Sequence, residues 1–94
     1  MKFLAVEKEK PGLKPCNFQP HLRDEALKVL EFYRKGYFRE IYYNEDKNAV
    51  IILECENLTE ASSILDSLPL VRAGLIEFKI MQLNPYNGFS RILG

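Results

Sequence analysis

The sequence has few residues of the kinds that mark a metal site or a disulfide-stabilised fold. Among its 94 residues there are two cysteines and one histidine. Cys16 lies in a proline-rich segment and Cys55 ends an apolar run, so the two form neither a disulfide framework nor a metal-binding motif. We therefore expect reduced thiols in a cytoplasmic protein that uses no metal and no other cofactor.

The sequence also lacks net charge and long apolar runs. Thirteen basic residues balance thirteen acidic ones, which removes any bulk attraction to nucleic acid or to an anionic membrane. No apolar run approaches the ~20 residues that span a bilayer. The first one, residues 3–6, is too short for a signal peptide. We expect neither nucleic acid nor membrane as a partner, and self-association meets no charge repulsion.

What the chain does contain is an alternation of strand-like and helix-like segments. Period-two patterns or apolar runs predict strands, and apolar residues at helical spacing predict helices. In the first strand, Phe3, Ala5 and Glu7 point one way, and Leu4 and Val6 point the other. The predicted strands are residues 2–8, 37–44, 49–55 and 75–83, and the predicted helices are residues 20–35 and 58–68.

The predicted helices carry start and stop signals. Pro20 suits a first turn, and Gly36 is the expected stop of the first helix. Asn57 followed by Glu60 forms a capping box at the second helix, which Pro69 ends. The predicted buried faces are Leu22, Ala26, Val29, Leu30 and Tyr33 in the first helix, and Leu58, Ala61, Ile64, Leu65 and Leu68 in the second.

The strand order predicts an α+β fold of one domain, residues 1–94, with a C-terminal tail at residues 84–94. The order βαββαβ with right-handed crossovers gives a ferredoxin-like four-stranded antiparallel sheet with both helices on one face. Alternation in the second strand places Arg39, Ile41 and Tyr43 on one face and Phe38, Glu40 and Tyr42 on the other. The proline-rich segment 9–19 is either a lid over a pocket or a crossing from sheet to helix.

Two helices cover only one face of such a sheet. The other face would expose a wide apolar patch, to which Phe3, Ala5 and parts of residues 37–43 and 50–53 are expected to contribute. Soluble monomers rarely expose a patch beyond a few hundred Å². We therefore predict a homodimer whose two sheets pack face to face, with light scattering as the test.

Several segments resemble the muconolactone isomerase-like branch of the dimeric α+β barrel superfamily. They are Leu68-Pro69-Leu70, Ala73-Gly74, Ile76-Glu77-Phe78, the exit Pro85-Tyr86-Asn87-Gly88-Phe89, and the corner Arg34-Lys35-Gly36-Tyr37-Phe38-Arg39. The resemblance implies a ferredoxin-like protomer, a paired-sheet dimer, a tail that embraces the partner, and a pocket between helices and sheet. It also implies an acidic catalytic residue at Glu25. The isomerases have more histidine near the central hairpin, whereas this chain has none after His21.

The candidate site residues each have a structural alternative. Glu25 and His21 are the predicted catalytic residues. The structural alternatives are that Glu25 turns out to water from the edge of the apolar helix face and that His21 is a surface residue of the first helical turn. Arg39 and Arg72 are predicted to bind an anionic group, but Arg39 could pair with Glu54 across the hairpin and Arg72 could be a solvated turn residue. Aromatic residues, among them Tyr37 and Tyr42, could line a pocket for a flat ligand or belong to core and interface.

Two functional hypotheses follow. The first is a small cytoplasmic isomerase-like protein that binds or isomerises a small lactone or carboxylate by metal-free acid–base chemistry; if it is an enzyme, the activity is a cofactor-free isomerase or oxygenase-like one. The second is a non-catalytic homodimeric module for ligand sensing or assembly. The two differ in whether Glu25, His21 and the tyrosines converge on one concavity.

Overall fold

The computed structural model describes all 94 residues and contains the predicted order of strands and main helices. The α+β, ferredoxin-like fold is thereby confirmed. The structure also contains short helical turns that were not predicted; they lie before the first main helix, after the second main helix and in the C-terminal tail. The elements are β1 Lys2–Glu9, α1 Pro15–Phe18, a 3₁₀ turn Gln19–His21, α2 Leu22–Arg34, β2 Phe38–Tyr43, β3 Ala49–Glu54, α3 Leu58–Asp66, α4 Pro69–Arg72, β4 Ile76–Leu83 and α5 Ser90–Leu93.

The four strands form one antiparallel sheet in the order β2-β3-β1-β4. Phe3 lies opposite Leu53, and Ala5 lies opposite Ile51 on one side and Ile80 on the other. These residues face the helices, and Phe3 and Ala5 are fully buried. The predicted alternation of β1 is therefore confirmed. The prediction that Phe3 and Ala5 belong to the exposed patch is wrong, because they lie on the covered face.

The strand β2 contains a bulge that changes its predicted faces. Phe38 pairs with Leu53, but Glu40 pairs with Ile52, which leaves Arg39 as an extra residue. The bulge lets Phe38 turn into the core, where it is 1% exposed, while Ile41 also faces the helices. The predicted grouping of Phe38 with Glu40 and Tyr42 is therefore wrong, because alternation fails across a bulge.

The first helical region is built from short pieces, and its regular helix begins later than predicted. Segment 9–19, expected as a loop, contains α1, and Pro20 lies in the 3₁₀ turn rather than in an α-helical first turn. Regular helix begins at Leu22 and ends before Gly36, whose φ of 86° is the left-handed conformation that glycine adopts freely. The predicted stop is thus confirmed, and the predicted start was two residues early.

The second main helix has the predicted cap. The side chain of Asn57 accepts a hydrogen bond from the Glu60 backbone N–H at 2.8 Å, while Glu60 accepts one from the Glu56 N–H at 2.9 Å. In the predicted capping box the Glu60 side chain would accept from the Asn57 N–H. It accepts instead from the N–H of Glu56, one residue earlier. The helix ends at Asp66, and Pro69 begins the separate turn α4.

The core lies between the sheet and the two main helices. The helix α2 contributes Phe32, whose ring lies 5.3 Å from that of Phe38. The helix α3 contributes Ala61, Ile64 and Leu65, all buried. Both helices thus pack on the same face of the sheet. None of the helices has the length and apolar character that a bilayer crossing requires.

Replacing Leu65 by alanine should destabilise the fold strongly. Leu65 is 1% exposed, so Leu65→Ala removes buried methyl groups and leaves a cavity, a change that costs about 2–5 kcal/mol. Leu58 lies on the same helix but is 54% exposed, contrary to its predicted burial, so Leu58→Ala is the matched control and should change stability by less than about 1 kcal/mol. Urea denaturation of both variants checks this; equal losses would contradict the assigned core.

The C-terminal tail leaves the sheet after β4 and ends in α5. Tyr86 and Phe89 pack edge to face with ring centroids 5.1 Å apart. Both rings are nevertheless largely exposed, as are Ile92 and Leu93, each 79% exposed. The tail therefore presents apolar surface that its own protomer does not cover.

Candidate functional site

An open cleft separates part of α2 from the sheet. The predicted burial of one face of α2 is wrong for most of its residues, because that face does not close on the strands: Leu22, Leu30 and Tyr33 are 43%, 41% and 55% exposed. The buried residue of the helix is Phe32, which was not among those predicted. The resulting cavity has a volume of about 590 Å³. Its lining is almost entirely apolar apart from two carboxylates, and consists of Glu7, Leu22, Glu25, Ala26, Val29, Leu30, Tyr33, Ile41, Tyr43, Ala49, Ile51, Leu70 and Phe78.

The helix α2 carries one of the two carboxylates, Glu25. Its Oε1 accepts a hydrogen bond from the Leu70 backbone N–H at 2.9 Å, which ties α2 to α4. Burial raises the pKa of Glu25 above its ordinary value of 4.5, and the hydrogen bond from Leu70 opposes that shift. Glu25 is therefore held in place and holds a proton more firmly than an exposed glutamate does.

The second carboxylate, Glu7, lies on β1 and was not among the predicted site residues. Its Oε1 accepts a long hydrogen bond, 3.4 Å, from the Ala49 N–H. Burial raises the pKa of Glu7, the Ala49 bond lowers it, and the negative charges of Glu9 and Glu25 raise it further. The sequence held a signal for this residue, because the alternation of β1 places Glu7 on the core face with Phe3 and Ala5.

No lysine, arginine or histidine lines the cleft. The two carboxylates therefore have no cation facing them, and burial is the leading cause of both raised pKa values. Tyr33 and Tyr43 stand at the opening, 55% and 79% exposed. Apolar walls with two carboxyls are suited to a small, largely apolar molecule, and the carboxyls are groups that can give or take protons. Nowhere in the chain do three or more His, Cys, Asp or Glu side chains form a group that could hold a metal ion.

Stability should fall as pH rises through the titration of the cleft carboxyls. Because folding raises the pKa of Glu25 and Glu7, the folded state binds protons more tightly than the unfolded one. Their contribution to stability is fully present below about pH 4.5 and is lost as pH rises through the folded-state pKa. Glu25→Gln keeps an oxygen that can accept the hydrogen bond from the Leu70 N–H, but it removes the titrating group. The free energy of unfolding of this variant should therefore depend less on pH than that of the parent.

Urea denaturation at several pH values between about 4 and about 8 measures this contribution. We expect Glu25→Gln to be at least as stable as the parent at neutral pH. Identical pH profiles for parent and variant would contradict an elevated pKa at Glu25.

Of the six residues predicted for the site, Glu25 alone lines the cleft. His21 ends the 3₁₀ turn before α2 and is partly buried outside the cleft lining. Arg72 ends α4 and lines a shallow polar groove beside α3. Neither is brought together with Glu25 in the cleft, and their functional roles stay predictions.

The three remaining predicted residues lie on or beside β2. Tyr37 packs on the core, with its ring centroid 6.1 Å from that of Phe32. Tyr42 points to the open face of the sheet, where its hydroxyl donates to Glu40 at 2.7 Å. Neither tyrosine lines the cleft; Tyr33 and Tyr43 do.

Arg39 is the bulge residue and does not pair with Glu54. Its Nε donates to the Gly36 carbonyl oxygen at 2.7 Å. The three ion pairs of the protein involve Lys10, Lys28 and Lys35, so the alternative prediction of a cross-strand Arg39–Glu54 pair is wrong. The bulge is the physical reason, since it shifts Arg39 out of the regular cross-strand register.

Comparison with models of known protein families and with curated protein sequences gives no match. Among solved structures, the chain is similar to 5-chloro-2-hydroxyhydroquinone dehydrochlorinase (TftG) from Burkholderia phenoliruptrix AC1100, in complex with 2,5-dihydroxybenzoquinone. The TM-score is 0.67 at 19% identity, over 94% of this chain and 98% of that one. At this identity the likeness shows the shared α+β fold, and it extends over nearly the whole of both chains.

Proposed function

We propose that the protein binds a small, flat organic molecule in the cleft between α2 and the sheet, and that Glu25 and Glu7 exchange protons with it. The observation that carries this proposal is that two carboxyls whose pKa values are raised face one apolar cavity. Such groups work as general acid and base near neutral pH without a metal or cofactor. The protein would then be a cytoplasmic, isomerase-like enzyme, as the muconolactone isomerase-like resemblance implies.

The two carboxyls differ in ways that suggest their roles. Glu25 accepts the shorter hydrogen bond, 2.9 Å from Leu70, which favours its carboxylate form. Glu7 has the longer bond and two neighbouring negative charges, which favour its protonated form. We assign Glu25 as the base and Glu7 as the acid. The Glu25 carboxylate removes a proton from a ring carbon, Glu7 donates its proton to another atom of the ring system, and a double bond shifts between them.

The lining also limits the substrate. A carboxylate placed inside the cleft would lose hydration and meet two acidic side chains with no compensating cation. We therefore expect the part of the substrate in the cleft to be uncharged, such as a lactone, an enone or a hydroxylated aromatic ring. The structural neighbour, a dehydrochlorinase, was solved in complex with 2,5-dihydroxybenzoquinone, which is a flat ring.

Carbon-bound hydrogen exchange in D₂O tests the proposal without knowledge of the net reaction. A panel of uncharged lactones, cyclic enones and dihydroxybenzenes is incubated with the protein, and deuterium incorporation at carbon is followed by NMR. We expect at least one compound to exchange faster than in buffer, and to shift the amide signals of Ile51 and Leu70, which line the cleft. No binding and no exchange across the panel would refute the proposed function.

A second candidate is a homodimeric module that binds a ligand without transforming it. The observation that favours a dimer is the open face of the sheet, where Leu4 lies between Ile52 and Met81, and Val6 lies opposite Val50. Met81 is 44% exposed and the other four side chains are partly buried, and together they form an apolar stripe on the face opposite the helices. The exposed apolar tail would add to the surface that a dimer buries. Ligand binding without deuterium exchange would favour this candidate over the enzyme.

A further inference from the structure

The C-terminal tail contains the one asparagine of the chain that is followed by glycine. Asn87 precedes Gly88 between β4 and α5, outside the lining of the cleft. In this pairing the next backbone nitrogen reaches the side-chain amide most easily, because glycine has no Cβ to obstruct the ring that forms. The other asparagines precede larger residues or proline; they are Asn17, Asn44, Asn48, Asn57 and Asn84.

The side chain of Asn87 is free to react. It is exposed and takes part in no hydrogen bond, and the Gly88 N–H has no acceptor. Asn48 also has a side chain without a hydrogen bond, but the N–H that follows it, that of Ala49, donates to Glu7. The remaining four side chains each accept a hydrogen bond that holds them in place: Asn17, Asn44, Asn57 and Asn84.

The first turn of α5 favours loss of the proton from the Gly88 nitrogen. The carbonyl oxygen of Asn87 accepts two hydrogen bonds from Ser90, one from its N–H at 3.1 Å and one from its hydroxyl at 2.8 Å. This oxygen belongs to the same peptide group as the Gly88 nitrogen. When the nitrogen loses its proton, negative charge spreads onto the oxygen, where both donors stabilise it. Ser90 therefore lowers the cost of forming the nucleophile.

We propose that Asn87–Gly88 is a site of spontaneous deamidation and that Ser90 assists the reaction. The deprotonated Gly88 nitrogen attacks Cγ of Asn87, so that an N–Cγ bond forms and the Cγ–NH₂ bond breaks. The leaving amide nitrogen takes a proton from water and departs as ammonia. Water then opens the cyclic imide at either carbonyl carbon. The products carry an aspartate at position 87, or an isoaspartyl link in which the main chain runs through the side-chain carboxyl carbon.

Deamidation changes both the charge and the packing of the tail. It adds a carboxylate to residues 84–94, whose one charged side chain is that of Arg91. The ring of Tyr86 lies so close to Gly88 that a side chain at position 88 would collide with it, and the same ring packs on Phe89. The isoaspartyl link lengthens the main chain by one carbon inside this cluster. We therefore expect the isoaspartyl form to lose the contact between Tyr86 and Phe89.

Peptide mapping by mass spectrometry tests the site in the whole protein. The protein is incubated at neutral and at mildly alkaline pH, sampled over time and digested with trypsin, which yields residues 80–91 as one peptide containing Asn84 and Asn87. We expect a mass gain of about 1 Da that fragmentation assigns to Asn87. It should accumulate faster at the higher pH, because the deprotonated amide is the nucleophile. Asn84 is the internal control, since Pro85 has no N–H.

Matched serine variants test the assistance. Ser90→Ala removes the hydroxyl donor and should slow the reaction about two- to tenfold, the effect of one hydrogen bond, whereas Ser90→Thr should keep most of the parental rate. Ser67→Ala is the control, because the Ser67 hydroxyl also donates to the carbonyl three residues earlier, that of Ile64, but on a different helix. In urea, which unfolds the turn, the parent and Ser90→Ala should react at the same rate.

Two results would overturn the site: no mass gain at Asn87, or an equal gain at Asn84. Three would overturn the role of Ser90. They are an unchanged rate in folded Ser90→Ala, the same slowing in Ser67→Ala, and a rate in Ser90→Thr as low as that in Ser90→Ala. NMR contacts between the rings of Tyr86 and Phe89 show that the tail keeps its packing in the variants.

Discussion

Glu25→Gln should slow proton exchange on a bound ligand by about 10²–10⁴-fold, the usual contribution of a positioned acid or base. The amide of glutamine has nearly the shape of the carboxylate, and its oxygen can still accept the hydrogen bond from the Leu70 N–H. What it lacks is the ability to take a proton. Ligand affinity should therefore change little, and the loss should appear in the exchange rate, measured by NMR in D₂O at saturating ligand.

A matched control for this variant lies six residues further along the same helix. Glu31 is half-exposed, and the hydrogen bond from Lys28, together with the charges of Lys28 and Lys35, lowers its pKa, the opposite of what burial does to Glu25. Glu31→Gln removes the same charge from α2 and should leave the exchange rate unchanged. Glu7→Gln should reduce exchange as well, since it removes the second proton carrier of the cleft. Equal rates in parent and Glu25→Gln would remove Glu25 from the mechanism.

The sequence was sufficient to predict the fold because its signals are local. Alternation in β1, the asparagine cap at Asn57 and the glycine stop at Gly36 each depend on a few neighbouring residues. The order of these elements then leaves few topologies. The bulge at Arg39 could not be predicted in this way, because it depends on the fit of Phe38 into a core built from distant segments.

The site was predictable in part. Glu25 was predicted from the family resemblance, which implies an acidic residue on the first helix, and it lies in the cleft. Glu7 looked like one polar residue in an alternating strand, and its importance depends on how far α2 stands from the sheet. That distance is set by tertiary packing, with Phe32 reaching the core while Leu30 and Tyr33 stay partly exposed. Arg39, Tyr37, Tyr42, Arg72 and His21 are suitable residue types, but the fold distributes them outside the cleft.

The homodimer proposed for this chain should dissociate when a charge is placed at the centre of the open sheet face. Ile52 lies on the inner strand β3, opposite Leu4, within the apolar stripe of Leu4, Val6, Val50, Ile52 and Met81. In a two-fold, face-to-face pairing, Ile52→Lys would bury two like charges near each other without partners. Such a change costs several kcal/mol, so the dimer should weaken by about a hundredfold or more.

Size-exclusion chromatography with light scattering checks the assembly. The parent should have twice the protomer mass of 10.9 kDa at micromolar concentration, and Ile52→Lys should have the protomer mass while keeping a native amide spectrum. Leu58→Lys is the control, since Leu58 is exposed on α3 on the opposite side of the sheet and should leave the dimer intact. A monomeric parent would refute the sheet-to-sheet dimer, whereas a dimer that survives Ile52→Lys would place the interface elsewhere. In that case the exposed apolar surface of the tail, around Phe89 and Ile92, becomes the stronger candidate for the contact.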